Sequence, residues 1–327
     1  GIENPANVDL AAEYGIQLTA NELGSLPLDI IDFEGTTVEK GGSTGAVIGG
    51  GDSRRFDTSS AETKTDTLTG GSRDDILLGG TNETIIRGGA GKDILLSGTA
   101  NETLKGESGD DVYVFLDGWG TDTITPTLTE KATDTLDFTG VTSNLSFVFR
   151  SGKIYAATGT SADFKFDYKT STFVSAESEL TVDKKPLPGI APGSGNNVNS
   201  VKLSGVAAHK FEFGNDWGST TIDAPVGTQL TLDFSRVYET LHFDFKADGS
   251  LVVSNGSDEI VVKNIGANTT IISGANENIY RGEGSTKFDG TLFMTGGAKK
   301  VRVPLTESFV PIPTDTAARL LLGDVVH

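Results

Sequence analysis

Between residues 70 and 114 a nine-residue unit repeats without a gap, which leaves a chain few ways to fold. The units begin at Gly70, Gly79, Gly88, Ser97 and Gly106, and the clearest reads GGAGKDILL, from Gly88 to Leu96. It matches the nonapeptide G-G-x-G-x-D-x-U-x, a calcium-binding β-helix repeat. The sixth position runs Asp75, Thr84, Asp93, Glu102, Asp111, and the same phase upstream lands on Asp57 and Asp66. The eighth runs Leu68, Leu77, Ile86, Leu95, Leu104, Tyr113 and is apolar every time.

Residue types explain the unit. Glycines at the first, second and fourth positions allow torsions that a Cβ penalises, so the chain turns tightly with its carbonyls exposed. The aspartate sets a charged hard oxygen beside those carbonyls, and calcium takes hard oxygens in number. Three residues of strand follow, the middle one pointing inward and its neighbours outward. Successive strands then lie on opposite sides, one coil takes two units, and turns on the same side stack.

Sorting the units by side separates two edges. One carries GGSRDD, GGAGKD and GESGDD and keeps Asp75, Asp93 and Asp111. The other carries GGTNET and SGTANE, with Thr84 and Glu102 at the sixth position, and is expected to be largely metal-free. Behind the first edge the outward residues Ile76, Leu78, Ile94, Leu96, Val112 and Val114 are apolar and predict a covered face. Behind the second, Thr67, Thr69, Arg87, Thr103 and Lys105 predict a wet one.

These turns resemble the β-roll of the RTX (repeats-in-toxin) family, specifically over residues 70 to 125 and diffusely elsewhere. In that family calcium sits between turns one coil apart. It takes carbonyls from the second and fourth positions of one turn and the first and third of the next, with both sixth-position carboxylates. The resemblance implies one site at Gly71, Arg73, Asp75, Gly88, Ala90 and Asp93, where Arg73 replaces a glycine. It implies a second at Gly89, Gly91, Asp93, Gly106, Ser108 and Asp111. A third, weaker set is Ser53, Arg55, Asp57, Gly70, Ser72 and Asp75, whose leading turn lacks the glycines.

Composition narrows the function. The chain has 327 residues, enough for two ordinary domains, with 36% hydrophobic residues and 42 glycines, which suit an all-β solenoid better than a helical bundle. A net charge of -19 argues against nucleic acid, which calls for a basic stripe, and suits a soluble binder of divalent cations. With no cysteine, neither disulfides nor thiolate metal sites are expected. No apolar run reaches membrane-spanning length, and no secretory signal opens the sequence. RTX relatives leave the cell by type I secretion, which needs no such signal, so the resemblance implies an extracellular or cell-surface setting.

The expected fold is all-β: a parallel β-roll or β-solenoid with hairpin-rich capping segments, in two related modules. Residues 1–51 form an N-terminal β or cap segment, with a short helix near Asp9 to Glu13 and a strand in LPLDIIDF. Residues 52–125 form the calcium-binding roll, and 126–190 a hairpin cap whose turn is Ser151-Gly152. The stretch from Thr181 to Gly195, rich in proline and glycine, is the best module boundary. Residues 191–264 form a second, degenerate roll with its hairpin, since KFEFGNDWG mirrors VYVFLDGWG and aligns Trp217 with Trp119. A second alignment sets LDFSRVYETLHFDF on LDFTGVTSNLSFVF and Asp233 on Asp137. Residues 265–327 hold further degenerate coils and a C-terminal linker or tail with a short helix from Thr314, expected to be cut from a larger protein.

No catalytic constellation stands out. GGSTG, from Gly41 to Gly45, matches the G-x-S-x-G nucleophile elbow, but a helix must follow the serine and AVIGGGD follows here. His209, His242 and His327 are scattered and lack metal spacing, and His242 lies on a polar phase. The pairs Asp74-Asp75 and Asp110-Asp111 fit ligation and solvation within turns better than acid–base work. Trp119 and Trp217 are expected to pack. The sequence thus points to a non-enzymatic, calcium-dependent structural or interaction module of a secreted surface-layer, adhesin or matrix protein. Its partners are calcium ions, with self-association or cell-surface glycan as further candidates. The alternative is the non-catalytic, calcium-dependent part of a secreted RTX enzyme.

Overall fold

The computed structural model describes residues 66–71, 74–79, 83–125, 132–183 and 198–273. It also describes the backbone of the strands Gly45–Ile48, Glu277–Arg281, Thr291–Met294, Lys300–Arg302, Phe309–Pro311 and Arg319–Leu320. The expected helices, the LPLDIIDF strand, the GGSTG stretch before Gly45 and most of the proline-rich boundary lie outside the described residues. So do Arg73, Ser53, Arg55, Asp57 and Ser72.

Among the described residues the protein is all-β, without a helix, in mixed sheets. From Asp66–Thr69 to Asp134–Gly140 the chain passes strand by strand between two sheets. Ile76–Gly79, Ile94–Leu96, Val112–Leu116 and Asp134–Gly140 lie side by side and parallel in one. Asp66–Thr69, Thr84–Ala90, Glu102–Ser108 and Thr121–Ile124 do the same in the other. Ile76 pairs with Ile94 and Thr84 with Glu102, so equivalent positions return after 18 residues. The alternation of side chains explains the packing. Leu77, Leu95 and Tyr113 point inward from one sheet and Ile86 and Leu104 from the other, all fully buried. Of the outward residues behind the aspartate edge, Ile76 and Leu96 are buried and Ile94, Val112 and Val114 half-buried. Thr103, Lys105 and Arg87, expected to be wet, are half-buried too, Arg87 in an ion pair with Glu107 at 2.7 Å.

Each sheet also contains one antiparallel meander. In one, Ser178–Asp183, Lys153–Thr158 and Leu145–Arg150 are inserted between parallel strands. In the other, Glu259–Val262, Leu251–Ser254 and Leu241–Phe245 play the same part. The first hairpin turns at Ser151 (φ 52°) and Gly152 (φ 66°), the left-handed pair of a two-residue turn whose twist matches its strands. Their amides donate to the carbonyls of Asn215 and Asp216, both at 2.9 Å. A small hairpin, Lys165–Asp167 with Thr172–Val174, covers Val148, Tyr155 and Ala157 on the outer side of that meander. Tyr168 anchors it, donating its hydroxyl to Glu212 beneath the Arg236 guanidinium, 3.7 Å from the ring centroid.

One continuous apolar core lies between the sheets, from Leu77 to Ile271. Its centre is aromatic and recurs in kind. Phe115 stacks on Phe138 at 4.8 Å, with Trp119 edge-on to Phe115 and Phe147 edge-on to Phe138. Phe213 stacks on Phe234 at 4.3 Å, with Trp217 and Phe243 in the matching edge positions. The turns after them match as well: Thr139 N–H donates to Asp137 and Ser235 N–H to Asp233.

Candidate metal centre

The two-sheet path stacks the turns that enter one sheet, and their aspartates form a column. The Asp75 N–H donates to Asp93 Oδ1 at 2.8 Å, and the Asp93 N–H to Asp111 Oδ1 at 2.9 Å. The Asp111 N–H donates to Asp134 Oδ1 at 3.0 Å. All four side chains are buried. Beside them runs an exposed ladder, in which Lys92 N–H donates to Asp74 and Thr133 N–H to Asp110. The paired acids of each turn thus divide into a buried member and a solvated one.

Glycine is required where the column meets its own turn. A Cβ on Gly88 would lie 2.2 Å from Asp93 Oδ2 and 2.6 Å from the Gly106 carbonyl oxygen. On Gly106 it would lie 1.9 Å from Asp111 Oδ2. Gly89, at φ 111°, sits against the Gly71 carbonyl oxygen, where a Cβ would come within 2.1 Å. Carboxylate and carbonyl oxygens of neighbouring turns therefore converge on space that a side chain would fill, which is the donor set of a hard cation. Two of the expected carbonyls are already used: Gly71 accepts from Ala90 N–H and Ser108 from Gly91 N–H, both at 3.0 Å. A carbonyl oxygen has two lone pairs, so each retains one for a metal.

Asp93 stands in the middle and carries the electrostatic load. Its Oδ2 is buried without a hydrogen-bond partner. Burial pushes its carboxyl up to about 8, the charges of Asp111 and Asp75 add to the rise, and only the hydrogen bond from the Asp75 amide opposes it. A cation between the turns relieves both burial and repulsion. Without one, folding is linked to a proton. Because the folded value lies above the ordinary 3.8, this group's stabilising contribution is complete below that value and is lost as pH rises through about 8. Calcium-free protein is therefore expected to unfold at lower urea as pH is raised from about 5 to 8, with a shallower decline in Asp93→Asn.

The structure unites Asp75, Gly88, Gly89, Ala90, Gly91, Asp93, Gly106, Ser108 and Asp111 along one edge. It adds Asp134, which sequence reading assigned to a hairpin. The trace of it was Asp134-Thr135-Leu136, the same acid, outward residue and inward apolar residue as Asp93-Ile94-Leu95. It escapes the nine-residue register because 23 residues, not 18, separate it from Asp111. Asp122, stacked on Glu102 across the opposite edge, was missed for the same reason, at a spacing of 20. Among the described residues, no group of three or more His, Cys, Asp or Glu side chains converges on one point. A site built mainly from carbonyls has no such group. The chain matches no protein-family model, and no curated protein shows significant similarity to it.

Proposed function

We propose that this chain is a calcium-binding structural or interaction module of the RTX β-roll kind, part of an extracellular surface-layer, adhesin or matrix protein. The observation that carries the reading is the buried Asp75–Asp93–Asp111 column, with one oxygen of Asp93 left unpartnered among backbone carbonyls. A buried carboxylate without a counter-charge is strongly unfavourable, so such a column needs protons or cations. The alternation of strands between two sheets and the 18-residue return support the roll architecture. The two matching ring groups support a pair of related modules. On this reading the carboxylates serve metal rather than catalysis, with Gly71, Asp75, Gly88 and Ala90 flanking Asp93 on one side. Gly89, Gly91, Gly106, Ser108 and Asp111 flank it on the other.

Calcium then acts through linkage. It binds the folded turns and not the unfolded chain, and so stabilises the fold by about 2.7 kcal/mol per ion at a free concentration of roughly 100 Kd. A calcium titration followed by circular dichroism, with bound ions counted by equilibrium dialysis, tests this. The expected result is a rise in strand signal and thermal midpoint as ions bind. Identical spectra and midpoints in chelator and in saturating calcium overturn it.

A further inference from the structure

The opposite edge, expected from the sequence to be largely metal-free, holds a second buried acidic pair of different make. Strand Thr121–Ile124 lies beside Glu102–Ser108, with Thr103 paired to Thr123, which brings Asp122 level with Glu102. The Glu102 N–H donates to Asp122 Oδ1 at 2.8 Å. Ser97, standing where most units have glycine, places its hydroxyl between the two acids, 2.5 Å from Asp122 Oδ2 and 3.2 Å from Glu102 Oε2. The carbonyl oxygens of Gly98 and Trp119 lie 3.4 Å from the same hydroxyl. Ser97, Glu102 and Asp122 are all at least 95% buried, with exposures of 4%, 2% and 1%.

The hydroxyl has one hydrogen and four oxygens around it, so it satisfies one of them. Glu102 Oε1, on the same carboxyl, is buried without any partner. The turns carrying these groups are pressed together: a Cβ on Gly120, at φ 82°, would lie 1.9 Å from the Ala100 carbonyl oxygen. Two carboxylates, a hydroxyl and peptide carbonyls enclosed this way are oxygen donors in search of positive charge. We propose that Ser97, Glu102 and Asp122, with the Trp119 carbonyl, form a separate divalent-cation site on this edge. Burial raises both carboxyls above their ordinary range; the charge of Asp122 adds to the rise of Glu102, while the hydrogen bonds from Ser97 and Glu102 oppose that of Asp122. The site draws on no residue of the aspartate column and does not depend on how that column is read.

Calcium stoichiometry by equilibrium dialysis on the whole chain distinguishes the two edges. Glu102→Gln is expected to bind one ion fewer than the wild type. Asp93→Asn is expected to keep that ion, and adding Glu102→Gln to it to remove it. Loss in Asp93→Asn with retention in Glu102→Gln would sink the inference and leave the column standing; the reverse would do the opposite. Equal stoichiometry in Glu102→Gln and the wild type means that the acids share a proton instead, and overturns the proposal. Should Glu102→Gln fail to fold, Asp122→Asn takes its place. Terbium binding to the wild type is a further check, because emission excited through Trp119 requires an ion beside it. No tryptophan-excited terbium signal overturns the site without any variant.

Discussion

Replacing Asp93 with asparagine should raise the thermal midpoint of the calcium-free protein at pH 8 and remove most of the gain that calcium brings to the wild type. The opposite signs follow from one residue having two roles. In the absence of metal, Asp93 is a buried carboxyl with Asp75 and Asp111 beside it and an unpartnered oxygen. Asparagine retains the Oδ1 that accepts from the Asp75 amide, discards the charge, and turns an amide donor toward the space bounded by the Gly106 carbonyl. If calcium binds as proposed, the same change removes a carboxylate shared by two sites. A wild-type gain of about 2.7 kcal/mol per ion at roughly 100 Kd corresponds to a rise of roughly 4 °C per ion for a chain of 327 residues. Differential scanning calorimetry of both proteins, in chelator and in calcium, reads both signs. If the variant is less stable in chelator and gains as much from calcium as the wild type, Asp93 is not a metal ligand. Asp66→Ala, outside the column, serves as the control and should leave the calcium gain intact.

Phe138→Ala and Phe234→Ala should each cost about 3–5 kcal/mol, the usual loss for a large buried ring. They should do so within a single unfolding transition. Phe138 is stacked on Phe115 and edge-on to Phe147, and Phe234 holds the same place between Phe213 and Phe243. The two groups are joined through Phe147 stacked on Phe211 at 4.5 Å and Phe211 beside Phe213. Both sheets and the core run past the expected module boundary without a break. Damage at Phe234 should therefore lower the stability of the turns carrying Asp75, Asp93 and Asp111, over 100 residues earlier in the chain. Urea melts read at Trp119 and Trp217 together with calcium release would show coincident midpoints. Two separated transitions, with calcium release unmoved by Phe234→Ala, would show modules that fold independently.

Much of this was legible in residue order because the repeat encodes local chemistry. A turn and an inward apolar residue recur every nine positions, an aspartate returns every 18, and Asp75, Asp93 and Asp111 are buried in one column. The likeness of the Trp119 and Trp217 segments is matched ring for ring. What could not be read was set by loop length. Asp134 and Asp122 join their columns across spacings of 23 and 20 residues, which no fixed period finds. His209 was indistinguishable from a scattered surface residue, yet it is buried with its Nε2 3.0 Å from the Ser204 carbonyl oxygen, and burial lowers its proton affinity.

By itself, the sequence determined which residues turn, which face inward and which acids share a phase, because glycine torsions and side-chain alternation act over a few neighbours. Only the tertiary structure decided which acids meet. Parallel pairing sets distant strands level whatever the length of chain between them, and so it places Asp134 under Asp111 and Asp122 against Glu102. It also decided that one core serves both halves, since that depends on strand order in the sheets rather than on any local pattern.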